Sequence, residues 1–537
     1  MRQLFINGRF YTFNNTKPRV EAVVAENGRF IDMGDSDTML KYWRQPNSQI
    51  IDLEGKTATP GLIDSHLHLG LIAYTFINMD VTGYTSKKEL LKKIHASTKE
   101  LEPGEWLVGS GWDENLFTDG PIPTIQELDL VAPDNPLFVS RICGHASIVN
   151  SQALERSGYH EDIEVPEGGK IVLDETTKEP TGLFLESASN LIRWHIPGYS
   201  YDVWKDAVKK AMKLAMSKGL TSVHTNDPHT LGGLDQTYRI YDELLNEEGL
   251  GLRCNLLINH EFIDDLHERG MYAGFGNDTL QIGAVKLFSD GAFGRSTALL
   301  SEPYSDDPDN YGEAMYDQET IYDIVKRTRE LDMPIAVHTI GDKGLENILD
   351  ILDQFPASQH RDRLIHTQVL REDLFKRLAH PNRIADIQPR FLASDFPWVK
   401  DRLGDERIRH SYAWKSMIDA GIICAGGSDS PVEPVDPLLG IHAAVTRKTP
   451  GQTHEGYNPD EKLTMEEAFQ LFTALGTYPT NEEMIKGTIA RGKLADITVY
   501  SKNPFEMEDP DELLEMDIEM TVIGGEIKYE RKERNRG

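Results

Sequence analysis

His66 and His68 stand two residues apart in PGLIDSHLH (60–68). On a β-strand the pleat turns both imidazoles to one face, where they can share a metal ion. A pair of histidines so spaced is commonplace by itself, and its weight comes from three further residues. His338 lies in the apolar run PIAVHTI (334–340), His366 in RLIHTQV (363–369), and Asp429 ends GIICAGGSD (421–429). Four histidines and a carboxylate suit one or two divalent transition metal ions, zinc first among them, better than Mg²⁺ or Ca²⁺. Such an ion lowers the pKa of a coordinated water towards about 7 and polarises a carbonyl as a Lewis acid. Asp429 is the residue expected to take the proton during attack and hand it to the leaving group.

Lys286, in AVKLFSDGAFG (284–294), ends an otherwise apolar segment. An ammonium repels a metal, so two readings stay open. Either Lys286 is a buried cation paired with Asp290 or Asp429, or its amine has taken up CO₂ to become a carbamate that bridges two metals. Asp290 is also placed to orient a ligand from behind. Asp342, in HTIGDKG, reads as a helix N-cap, and His224 as a core residue.

These residues need a scaffold that brings distant segments to one rim. Eight short apolar segments suit parallel strands covered on both faces: 61–68, 220–226, 252–258, 284–290, 334–340, 363–369, 383–389 and 421–429. Amphipathic helical stretches lie between most of them, which predicts an α/β fold, a TIM (β/α)₈ barrel spanning 61–479. The candidate ligands then fall at the strand C-termini, where barrel active sites are built. The long gap between the first two strands predicts an inserted lid and substrate subdomain over about 80–205. It contains Trp112 in GSGWDENLF and His145 in CGHASIVNS, the two candidate substrate-binding residues. Short strands with Asn-Gly and Glu-Gly turns at the N-terminus, and KLADITVYS and EMTVIGGEIKYE at the C-terminus, predict a small β-sandwich from 1–60 plus 480–537.

The chain has 537 residues and a formal charge of −31, which disfavours phosphate backbones and anionic membrane surfaces as partners. A small-molecule substrate is expected, with no nucleic acid and no membrane, and a homodimer is possible. Three scattered cysteines, Cys143, Cys254 and Cys424, form no disulfide framework. Together with an N-terminus broken by Arg2, Asn7 and Arg9, they point to the cytoplasm.

The motifs PGLIDSHLH, VKLFSDGAFG, AVHTIGDKG, LIHTQ and GGSDSPVEP together resemble the amidohydrolase superfamily. Within it the chain is similar to the YtcJ-like branch, amidohydrolase family 3, which includes N-substituted formamide deformylases. The likeness runs from INGRFYTF to RGKLADITVYSKNPF. It implies that His66, His68 and Asp429 ligate one metal, that His338 and His366 ligate a second, and that Lys286 is the bridging carbamate. It implies a metal-dependent hydrolase of non-peptide C–N bonds in linear or cyclic amides, N-substituted formamides or N-acyl amines. A deaminase or isomerase on the same framework is the alternative; a non-catalytic scaffold should have lost ligands, and none is lost.

Overall fold

The eight apolar runs are eight parallel strands: β1 (Leu62–Leu67), β2 (Leu220–Thr225), β3 (Arg253–Asn259), β4 (Leu280–Phe288), β5 (Ile335–Thr339), β6 (Asp362–His366), β7 (Arg383–Ile387) and β8 (Ile423–Gly426). They form one sheet in sequence order, and every residue of β1, β2 and β3 is buried. This computed structural model describes residues 1–532 except 142–144, 161–162, 167 and 357; Cys143 lies outside the described residues. The sheet is a nearly closed barrel. Past the end of β8, the Asp429 amide donates to His66 O at 2.7 Å. That approach requires Gly427, because a Cβ there would lie 2.8 Å from His66 N.

Helices brace the barrel from outside. The helix Met465–Leu471 begins in a capping box, with the Thr464 hydroxyl accepting from Glu467 N and the Glu467 carboxylate accepting from Thr464 N. It buries Ala468, Phe469 and Leu471. Just beyond its end, Phe472 O accepts from Ile63 N at 2.7 Å, which fixes the height of β1 and so of its histidines. One local expectation is corrected. The N-cap of helix Asp342–Leu352 is Gly341, and Asp342, one residue further in, accepts from Ser301 N at 3.0 Å and pairs with Arg371 at 3.1 Å.

The chain termini build two further sheets. Arg29–Gly34, Ala22–Glu26, Arg2–Ile6 and Gln49–Asp52 form a four-stranded one. In the other, Thr57–Pro60 pairs antiparallel with Ile497–Tyr500, which pairs with Ile518–Ile523. The two sheets share one apolar cluster that includes Phe5, Phe30 and Leu53 with Phe10, Val499 and Val522.

The chain divides into two compact units, residues 73–207 being the second. That unit has its own six-stranded sheet and an apolar core of Leu90, Leu107, Trp112, Leu128 and Val139 among others. No helix among the described residues is long and apolar enough to cross a membrane.

Candidate metal centre

His66 lies in β1 and His68 immediately after it. Their ring centroids are 5.1 Å apart, and both Nε2 atoms face Asp429 Oδ1, at 3.3 Å and 3.2 Å. One ligand atom from each of the three lies within 4.8 Å of the others, a spacing that suits a single cation. His366, at the end of β6, is 5.9 Å from His66 and 4.5 Å from His338, ring centre to ring centre. The four imidazoles thus form a continuous row around the rim.

What each ring does with its other nitrogen decides which lone pair is left for a metal. His68 Nδ1 lies 3.1 Å from Asn226 O. A carbonyl only accepts, so Nδ1 carries the proton and Nε2 is the ligand atom. His366 Nδ1 lies 2.7 Å from Gln388 Oε1, and Gln388 is fixed in that orientation by donating Nε2 to Asp386 O at 3.0 Å; the His366 ligand atom is again Nε2. His338 is the reverse, with Nε2 spent on Gly291 O at 3.1 Å, which leaves Nδ1. His66 Nδ1 is buried without a partner among the described residues.

Protonation states agree with this assignment. Burial, then the nearby cations and imidazoles, holds His66 and His338 well below the usual histidine value. His366 falls to about 4 for the same leading reason. His68 moves the other way, because its hydrogen bond and attraction to Asp429 outweigh burial. For Asp429 burial pulls upward, but the hydrogen bond from His68 and the charges of His366, His68 and Lys286 prevail and keep the carboxyl below its ordinary value. His66, His338 and His366 are thus held neutral beside an ionised carboxylate, and His68, whose Nε2 proton bridges to Asp429, would give that proton up to a cation, so the donor set fits a divalent metal.

Lys286, on β4, is 1% exposed. Of the two readings left open for it, the ion pair with Asp290 or Asp429 is not seen among the described residues, and its ammonium lies 4.8 Å from the centre of the Phe288 ring. Burial presses it down to about 7 against the pull of Asp429. Asp290 spends its carboxylate on the surrounding loops, accepting from Leu299 N at 2.9 Å, Ile340 N at 3.1 Å and Gly341 N at 2.8 Å. It stands 3.9 Å from His338 Nε2, so it shapes the turn that carries Gly291 O to that ring.

Local backbone geometry aims the candidate ligands. His366, Thr367 and Asp429 have φ of 77°, 46° and 57°, a left-handed conformation that costs a non-glycine residue about 1–3 kcal/mol and persists where surroundings enforce it. At Asp429 one enforcing contact is Asp64, which is wholly buried and accepts from His66 N at 3.1 Å and Ser428 N at 3.1 Å. Below this level the barrel interior holds Arg363, whose Nε donates to Asp386 at 3.1 Å, while Asp386 accepts from Ser65 Oγ at 2.5 Å. Asn226, Gln388, Asp64 and this buried pair were not found by sequence reasoning; the one available signal was polar residues within or just past apolar strands. His224 is fully buried in β2, with neither ring nitrogen partnered among the described residues.

The two candidate substrate residues both belong to the second unit. Trp112 is 1% exposed in its core and donates Nε1 to Val139 O at 2.9 Å. His145 is half exposed, with Nδ1 2.7 Å from Glu186 Oε2.

A profile of the amidohydrolase family matches residues 49–529. The chain is 39% identical, over 99% of its length, to the full length of the YtcJ amidohydrolase of Bacillus subtilis (strain 168). It is 26% identical to the N-substituted formamide deformylase of Arthrobacter pascens, with 99% of each chain covered. It superposes with a TM-score of 0.78 and 29% identity on the crystal structure of an uncharacterized metal-dependent hydrolase from Pyrococcus furiosus, covering 94% of this chain and 100% of that one.

Proposed function

This chain belongs to the amidohydrolase family, and from that premise we propose that it hydrolyses a non-peptide C–N bond of small amides, N-substituted formamides and N-acyl amines first among them. The observation that carries the reading is the convergence of His66 Nε2, His68 Nε2 and Asp429 Oδ1. Its likeness to a formamide deformylase supports the substrate class.

In this reading His66, His68 and Asp429 would hold one ion, and His338 and His366 would hold a second. Zinc suits the nitrogen-rich set, and it supplies Lewis acidity together with a water that ionises near neutral pH. Lys286 would be the residue to carry a carbamate: its neutral ε-amine would add to CO₂ and release a proton to solvent, replacing a repelling cation with an anion able to hold a metal. Asp429 accepts the proton of the attacking water at its carboxylate and delivers it to the departing amine nitrogen, base first and acid second.

The test is metal analysis joined to a substrate screen. One to two equivalents of transition metal and release of formate or acid from N-formyl and N-acyl amines are expected, with activity lost on chelation. Full activity in metal-free protein would sink the reading.

A further inference from the structure

Residues 67–70, which carry His68 out of β1 and into the following helix, are met one by one by the three residues that end β2 and leave it. Thr225 pairs with Leu67 across the β1–β2 ladder. Asn226 N donates to Leu67 O at 3.3 Å, and Asn226 O accepts from His68 Nδ1 at 3.1 Å. Leu69 N donates to Thr225 Oγ1 at 2.9 Å, and Gly70 N donates to Asp227 Oδ1 at 2.8 Å. His68 O opens the helix by accepting from Ile72 N at 3.0 Å, so the amides of Leu69 and Gly70 have no partner within it. Such amides are usually capped by the side chain of the residue before the helix. His68 is not that cap, since its ring is turned to Asp429, and β2 supplies the two acceptors instead.

The turn is itself locked from behind. Thr225 Oγ1 donates to Asp227 Oδ2 at 2.6 Å, and Tyr241 Oη, from the helix Leu234–Asp242, donates to the same oxygen at 2.5 Å. Asn226 Nδ2 donates to Leu257 O at 2.8 Å and to Asn259 Oδ1 at 3.0 Å, which hooks it to β3. Thr225, Asp227 and Tyr241 are all buried. The fit leaves no slack at Gly70, where a Cβ would stand 2.9 Å from Asp227 Oδ1. A histidine presents its lone pair to a metal only as firmly as the acceptor behind its other ring nitrogen is held. For His68 that acceptor is a main-chain oxygen, fixed by side chains that are not themselves candidate ligands.

We propose that Thr225, Asn226 and Asp227 are positioning residues for His68, and that this turn sets how tightly the first metal position binds. This rests on the reading above that His66, His68 and Asp429 hold an ion. Loosening the turn frees the imidazole to rotate away from Asp429, so the loss appears in metal affinity.

The experiment titrates metal-free protein with Zn²⁺ in competition with a chromophoric chelator, and records the melting temperature of the metal-free protein alongside. The position concerned is the one lost in His68→Ala. Thr225→Val keeps the shape of the side chain and removes its hydroxyl, so Leu69 N loses its acceptor and Asp227 a donor. Zn²⁺ affinity should fall about 10–100-fold, and Thr225→Ser, which keeps the hydroxyl, should restore most of it. If Thr225→Val does not fold, Gly70→Ala tests the same joint from the helix side. Alanine favours a helix, yet its methyl group presses Asp227 off Gly70 N, and a loss in the same direction is expected. Wild-type Zn²⁺ affinity in the folded variant, even with a lowered melting temperature, would make the turn purely structural and overturn this inference alone. An equal loss in Thr225→Ser would do the same. Wild-type protein that binds no Zn²⁺, or His68→Ala that binds it undiminished, would overturn the metal reading and this inference with it.

Discussion

Asp429 is asked to do two things, ligate and carry a proton, and Asp429→Asn separates them. The amide still offers an oxygen to a cation but is a poor base. Turnover should fall by about 10²–10⁴-fold while much of the metal remains, as paired kinetics and elemental analysis would show; near-normal turnover would remove Asp429 from proton transfer. Lys286→Ala tests the carbamate: activity should be lost and partly restored by short carboxylic acids that supply the missing oxygens. No rescue, with a bare ammonium seen at full metal loading, would exclude the bridge. At this scale the candidate donors were legible in the sequence, because His66, His68, His338, His366 and Asp429 carry their chemistry in their residue types. It could not disclose Asn226 O or Gln388 Oε1. Those atoms matter only through the ring that tertiary folding sets beside them.

Elements were legible where burial imposes an unbroken apolar run. β2 and β5 lie within the stretches that their composition marks out. Ends were harder. β4 starts at Leu280, ahead of the expected 284, because Gln281 and Gly283 interrupt the apolar pattern while Gln281 still pairs with Asn255 of β3. β8 stops at Gly426, short of the expected 429, where the chain breaks into the turn that leads to the left-handed Asp429. Such a φ is enforced by neighbours and leaves no local trace in a residue other than glycine. The helix Met465–Leu471 offers an element-scale test, since its capping box supports the contact of Phe472 O with β1. Thr464→Ala should cost about 1 kcal/mol of stability in thermal or urea unfolding. A loss of metal without a loss of stability would contradict the assigned role of that helix.

Across the whole molecule, the two ends of the chain meet in one sheet. The terminal strands were readable as β structure, yet their attachment to the barrel was not, because it runs through a buried ion pair between residues far apart in sequence. Arg253, at the start of β3, donates Nε and Nη2 to the two oxygens of Asp496 at 2.7 Å and 2.9 Å. Both side chains are only 6% exposed. Asp496→Ala strands a buried guanidinium, and the expected loss is about 3–5 kcal/mol in denaturant unfolding. Replacing both residues by apolar ones of similar volume should recover much of it, and failure to do so would mean that the pair does more than hold the C-terminal segment.

The seam between β8 and β1 carries a consequence for adaptability. The Asp429 amide bonded to His66 O, and Asp64 spanning His66 N and Ser428 N, join the first and last strands through the residues that carry the candidate ligands. Opening this seam would therefore also disturb the candidate metal centre. Slow hydrogen exchange of the Asp429 amide should report both, and metal loading should slow it further. The candidate ligand rim is then under a double constraint, of folding and of chemistry.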